Sequence, residues 1–236
     1  NIGELINVGL TDLEEANRTK AKLFSIIGHD LRSPISQVYQ FLKLQQLNPD
    51  ALNTEQKNEL SNKIQTATGS LLETMEDLLL WSKTQMNEFK TSLQTVELIP
   101  VVETCKQLLQ LNSDAKNISY QQTINDGDSA QTDTYFLQTI VRNLLQNAIK
   151  ASPDNGIINI YTKKRENTIA LHIKNDGATF TQENYLQTLS SQENSSSING
   201  IGLRLVDELS KKINATVTFL MPANGGTLVE INLKIV

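Results

Sequence analysis

The sequence predicts an α+β chain, with an N-terminal antiparallel helical hairpin followed by a two-layer α/β sandwich. Three observations carry this expectation. Apolar residues recur at three- and four-residue steps through the first third of the chain, the period of an amphipathic helix. A break at Asn48-Pro49-Asp50 divides that pattern in two. Beyond about residue 95, short alternating runs interleave with periodic ones, as strands and helices do when they share one core.

The first helical pattern runs from residue 1 to about 47, with Leu13, Ala16, Leu23, Ile27, Leu31, Ile35, Val38 and Leu42 on its apolar stripe. After the break, Thr54, Gln56 and Glu59 begin a second helix whose stripe is Leu60, Ile64, Ala67, Leu71, Met75 and Leu78. Leu78 to Gln85 closes it, with Trp81 placed to cap the hairpin base. Two helices alone have a thin core. A four-helix bundle made by two chains would cover both stripes. The pattern therefore predicts a hairpin domain over residues 1–90 and a second domain over 91–236.

In the second domain, Thr95 to Ile99 is expected as a strand, and Pro100 suits the first turn of the helix after it. That helix is expected to bury Val101, Val102, Cys105, Leu108 and Leu109. Ile118 to Ile124 alternates as a strand does, and Asn125-Asp126-Gly127-Asp128 is a turn. Asp133 should cap a strongly periodic helix ending near Ala151. Strands follow at 157–164 and 168–175. Residues 181–199 are rich in Ser, Asn and Gln and read as a mobile loop. A helix is expected from Leu203 to Ile213. A hairpin of strands at 216–221 and 227–235 then turns at Asn224-Gly225-Gly226.

Composition excludes several classes. A net charge of −5 argues against a nucleic-acid binder. Cys105 is the single cysteine, so no intramolecular disulfide can form. No run of about 18 apolar residues exists to span a membrane. Asn1 opens directly into a helical pattern without an initiator Met, as expected of a segment cut from a longer protein.

Chemistry concentrates in a few places. His29 lies in the first helix, beside Asp30 and five residues ahead of Pro34. A neutral imidazole can attack phosphorus through one ring nitrogen, and the other nitrogen then needs a partner for its proton, which Asp30 could supply. Pro34 lacks an N–H and crowds the carbonyl of Asp30, so the helix should loosen just after His29. The bland alternative is a surface histidine on an amphipathic helix. Asn143, Asn147 and Lys150 share one face of the 133–151 helix. An Asn oxygen suits Mg²⁺, which takes hard oxygen ligands and completes its shell with phosphate and water. A Lys meets phosphate as a point charge. The bland alternative here is a solvated polar face. Gly200-Ile201-Gly202, placed ahead of a helix, would let backbone N–H groups approach a phosphate.

Taken together these stretches resemble the sensor histidine kinases of bacterial two-component systems. Phe24-Ser25-Ile26-Ile27-Gly28-His29-Asp30-Leu31-Arg32-Ser33-Pro34-Ile35 resembles their H-box. Asn143 to Lys150 closely resembles the N-box, Asn175-Asp176-Gly177 the first glycine box, and Gly200-Ile201-Gly202-Leu203 the second. The resemblance implies a Bergerat-type ATP-binding domain after a dimerisation and phosphotransfer hairpin. It implies ATP and Mg²⁺ as cofactors, with Asn147 as the metal ligand and Asn143 and Lys150 near the phosphates. It implies autophosphorylation of His29, a homodimer through the hairpin, and transfer to a response-regulator receiver domain. Ser33 stands where relatives that dephosphorylate their regulator carry a Thr or Asn. The implied location is the cytoplasmic portion of a membrane-bound or larger sensor, with no membrane contact in this segment.

Two departures stand out. The first glycine box normally holds an Asp that accepts the adenine amino hydrogen. Asn175 aligns with it, and Asp176 is the alternative if the register slips by one. Ala151 replaces an aromatic that many relatives stack on adenine. A phosphatase-dominant or silent scaffold therefore remains an alternative. So does a Bergerat-fold ATPase or serine kinase, against which the histidine-bearing hairpin argues.

Overall fold

The computed structural model describes residues 32–47, 53–85, 91–190 and 198–235. His29 and Asp30, and the bend expected after His29, lie outside the described residues. Contacts divide the chain into two units. One takes in Asn1–Glu88 and Gln192–Ile201, the other Phe89–Ser191 and Gly202–Val236.

The first unit holds a helical hairpin, α1 (Arg32–Leu47) against α2 (Thr54–Gln85). Pro34 lies in the first described turn of α1. The start of α2 is set by Asn53 rather than Thr54. Asn53 Oδ1 accepts from Gln56 N at 2.8 Å, and Gln56 Oε1 accepts from Asn53 N at 3.1 Å, a reciprocal cap that satisfies two end donors. Ala67, Leu78, Leu80 and Trp81 of α2 are buried, but Ile35, Tyr39, Leu42, Leu44, Leu72, Met75 and Leu79 stay exposed. The hairpin thus leaves much of its apolar surface uncovered.

The second unit begins with β1 (Gln94–Glu97), α3 (Leu98–Leu108), the short α4 (Gln110–Asp114), β2 (Ser119–Thr123) and β3 (Ser129–Thr132). It continues through α5 (Thr134–Ala151), β4 (Ile157–Lys164), β5 (Thr168–Asn175), α6 (Gln182–Ser190), α7 (Ile198–Lys212, of which Gly202 onward belongs to this unit), β6 (Thr216–Leu220) and β7 (Thr227–Lys234). The main sheet has the order β2-β4-β5-β7-β6, with only β2 and β4 parallel. β1 and β3 form a separate antiparallel pair.

One sheet face supplies the core. Ile158 and Ile160 of β4, Ile169, Leu171 and Ile173 of β5, and Val229, Ile231 and Leu233 of β7 are all buried. Buried with them are Leu137, Ile140, Leu144 and Leu145 of α5, Val101, Val102 and Cys105 of α3, and Leu205, Val206 and Leu209 of α7, with α5 packed on β5 and α3 on α5. Burial pushes the Cys105 thiol up to about 12, outweighing Arg142, so it stays protonated.

The opposite sheet face is polar but ordered. Tyr161, His172 and Glu230 are cross-strand neighbours. Tyr161 stacks on His172 with ring centroids 4.6 Å apart, and His172 Nε2 lies 3.0 Å from Glu230. Burial acts to raise the Glu230 pKa. Hydrogen bonds from Asn232 and His172, with the Arg165 charge, outweigh it and hold that carboxyl below its ordinary value.

Several local expectations change. The strand expected through Ile99 stops at Glu97, and Leu98 and Ile99 open α3. Leu108 is exposed, because α3 ends there and its buried row continues to Leu109 instead. β3 is a strand absent from the sequence reading. Residues 182–190 form a helix rather than a loop. Thr181 caps it through Asn184, and Tyr185 is buried against the Phe219 ring with centroids 4.8 Å apart.

Candidate functional site

The site is built on α5 because that helix is fixed at both ends. Asp133 Oδ1 accepts from Phe136 N at 3.1 Å, capping the N-terminus, while its Oδ2 accepts from Ser92 N at 2.9 Å. At the other end, Lys116 Nζ donates to the carbonyls of Ile149, Lys150 and Ser152 at 3.2, 2.9 and 2.8 Å. An ammonium there satisfies orphan carbonyls and complements the negative end of the helix dipole. Nothing in the sequence singles out Lys116, whose partners lie in a different element. Lys116→Met should lower stability by about 1–2 kcal/mol, the worth of a charged hydrogen-bonding cap. Urea unfolding of the parent and variant measures it.

Along α5, Asn143, Asn147 and Lys150 share a face that runs from buried to exposed. Asn143 is buried and donates through Nδ2 to Thr139 O at 3.0 Å. Asn147 is half-buried and Lys150 exposed. Asn143 therefore does not belong to a solvated face. Its Oδ1 looks at Gly202, where an added Cβ would come within 2.4 Å of it. Gly200 and Gly202 both lie inside α7, in its opening turns, rather than in a loop ahead of it. The need for glycine at 202 is thus close approach to Asn143. Arg204, where a third glycine is common in the resemblance, donates to Thr188 O at 3.2 Å and ties α6 to α7.

The C-terminal end of β5 closes on the last turn of α5. Gly177 lies so near Ala151 that an added Cβ would overlap the Ala151 carbonyl oxygen, and Ala178 N donates to that carbonyl at 3.1 Å. Thr227 Oγ1 donates to Ala178 O at 3.0 Å and accepts from Phe180 N at 2.8 Å. Gly226, at φ +81°, leaves room for the Asn175 carbonyl. The loop from 176 to 180 is therefore pinned from two sides. Gly177→Ala should cost about 2–3 kcal/mol, because the overlap is with backbone that must shift. A lowered urea midpoint with an unchanged slope is the expected reading.

Asn175 and Asp176 differ sharply. Asn175 sits on the core face of β5, in register with Ile158 and Thr227, and is 3% exposed. Its Nδ2 finds no hydrogen-bond partner among the described residues. Asp176 is exposed and pairs with Lys174 at 3.2 Å. Ser33 lies in α1, and His29 and Asp30 fall outside the described residues. No cluster of three His, Cys, Asp or Glu among the described residues could cage a metal ion. A half-buried Asn147 oxygen fits the other kind of site, one where substrate phosphates and water complete the shell.

Residues 132–236 match the family described as Histidine kinase-, DNA gyrase B-, and HSP90-like ATPase. Histidine protein kinase DivJ of Caulobacter vibrioides is 21% identical over 232 residues, covering 95% of this chain and 39% of DivJ. The chain thus spans about two-fifths of that relative's length. The histidine kinase AdeS of Acinetobacter baumannii superposes with a TM-score of 0.63 at 17% identity, over 88% of this chain and 98% of that one. The histidine kinase ThkA, solved in complex with response regulator protein TrrA, gives 0.65 at 19%, over 94% and 66%. These structures share the helical hairpin and the α+β sandwich. No helix among the described residues is long and apolar enough to cross a membrane. Residues 132–236 carry the match to that ATPase family, and over most of its length the chain is similar to the catalytic cores of sensor histidine kinases.

Proposed function

We propose that this chain phosphorylates His29 from ATP and passes the phosphoryl group to an aspartate of a response-regulator receiver domain. In this reading residues 1–90 are the dimerisation and phosphotransfer domain and 91–236 the catalytic domain. The observation that carries it is the buried cradle around α5. There Asn143 meets Gly202, Gly177 meets Ala151, and the buried Asn175 Nδ2 has no hydrogen-bond partner among the described residues.

In this reading ATP binds at that cradle. Asn175 Oδ1 accepts the adenine 6-amino hydrogen, a role that its burial supports over the exposed, ion-paired Asp176. Asn143 and Lys150 lie toward the phosphates, and Gly177 and Gly202 allow the close packing around α5 on which the cradle depends. The Asn147 oxygen would hold Mg²⁺, which when bound would supply charge stabilisation at the phosphates. One ring nitrogen of His29 forms a bond to the γ-phosphorus as the bond to the bridging oxygen breaks. ADP leaves with the electron pair, and Asp30 holds the proton on the second ring nitrogen. The exposed apolar residues of α1 and α2 support a homodimer through the hairpin. The location is the cytoplasmic portion of a longer sensor.

Incubation with Mg²⁺ and ATP labelled at the γ-phosphate should label the chain, and added receiver domain should take the label from it. A chain that binds ATP yet never becomes labelled contradicts the proposal.

Ser33 stands four residues after His29, a spacing that in a continuous helix is one turn along on the same face. Its hydroxyl can orient a water for regulator dephosphorylation, less firmly than the χ1-restricted Thr would. Ser33→Ala should slow phosphate loss from a purified phospho-regulator in the presence of ADP by about tenfold, the scale of one positioning hydrogen bond, and Ser33→Thr should preserve or raise it. Unchanged clearance by Ser33→Ala excludes the role.

A further inference from the structure

We infer that Asn175 makes the nucleotide site tolerant of 6-oxopurine triphosphates as well as ATP. The inference rests on the proposed ATP-binding reading and concerns which base that site accepts. Asn175 occupies the core face at the end of β5, in a row with Ile158 and Thr227, all three buried. The backbone beside it is fixed by Thr227, Gly226 and the Ala151 carbonyl. Its side-chain amide is not fixed. Nδ2 is buried without a partner, and no hydrogen bond among the described residues holds the amide in one orientation. A buried donor left unpaired costs about 1–3 kcal/mol, which a ligand acceptor placed opposite it would recover.

The amide has one donor end and one acceptor end. Adenine offers a 6-amino donor beside the N1 acceptor, and Asn175 matches both, with Oδ1 accepting from the amino group and Nδ2 donating to N1. Hypoxanthine offers the reverse, an O6 acceptor beside an N1–H donor. Rotating the amide by half a turn matches that edge equally well, with Nδ2 donating to O6 and Oδ1 accepting from N1–H. The two amide orientations have almost the same shape, so neither base meets a steric penalty. A carboxylate at this position has only acceptors. It would face O6 oxygen to oxygen and leave that group unpaired, a mismatch worth at least tenfold in affinity.

The test is equilibrium binding to the full chain, by competition against a labelled ATP, of unlabelled ATP, ITP and UTP. ITP should compete within about tenfold of ATP and UTP far more weakly, because a single-ring base on the same ribose extends less far than a purine. Asn175→Asp should widen the ATP-to-ITP ratio by about tenfold or more. ITP binding more than tenfold weaker than ATP in the parent overturns the inference while leaving the ATP reading intact, and needs no variant. An unchanged ratio in Asn175→Asp also overturns it, as does UTP binding equal to ITP. Absence of ATP binding overturns the reading beneath it together with the inference, and is read in a separate arm.

Discussion

His29→Gln should lose all autophosphorylation while its ATP affinity stays within a few-fold of the parent. Glutamine keeps a polar side chain of helix-compatible shape but has no nucleophilic ring nitrogen. The residues proposed to hold nucleotide lie in α5, at the end of β5 and in α7, far from His29 in sequence. The variant is a clean one because the chain's other histidine cannot take over. His172 is buried in the sheet, stacked on Tyr161 and bonded through Nε2 to Glu230. The measurement is phosphate incorporation from labelled ATP beside equilibrium ATP binding. Label persisting in His29→Gln would place the acceptor elsewhere.

Asn147→Ala should lower phosphate incorporation by about 100-fold or more at ordinary Mg²⁺, since losing the proposed metal ligand would remove several kcal/mol of charge stabilisation. The fold should survive it. Asn147 is half-buried on the polar face of α5, whereas the helix is held by Leu137, Ile140, Leu144 and Leu145 and by its two caps. Thermal unfolding should therefore shift little, within the range of surface substitutions. Asn147→Asp should fail as well, because it adds a negative charge beside a triphosphate. Normal turnover in either variant shows that Asn147 does not ligate the metal.

The parts of the fold legible in the sequence are those where local pattern and tertiary role agree. The α5 stripe, the Asp133 cap and the two long strands β4 and β5 lie where periodicity and capping chemistry put them. β3 escaped because Ser129-Ala130-Gln131-Thr132 is short and mostly polar. Its strand character comes from pairing with β1, which no local pattern records. Residues 182–190 look like a polar loop, yet a Thr181–Asn184 cap and one buried Tyr185 suffice to make a helix against β6. The spacing of Thr181 and Asn184 was the available signal.

The site divides the same way. Motif spacing picks out Asn143, Asn147, Asn175, Gly177 and Gly202 as candidates, but not why each residue type is needed. Gly202 reads as a phosphate-loop glycine in sequence, and in the fold it makes room for Asn143 inside a helix. Gly177 is required by the backbone of Ala151, a residue in another element. Lys116 carries no motif at all, because its partners are three carbonyls brought to it by the fold. Local sequence cannot report such contacts, since the second partner enters only through packing.

The most direct test of the account is the chemistry of the bond formed with phosphate. The parent chain is incubated with Mg²⁺ and γ-labelled ATP, denatured, and divided between acid and base. A phosphorus–nitrogen bond to His29 predicts label that is lost in acid and kept in base. Label that survives acid and is lost in base would mark a serine or threonine ester, and would contradict the central claim that this chain is a histidine kinase.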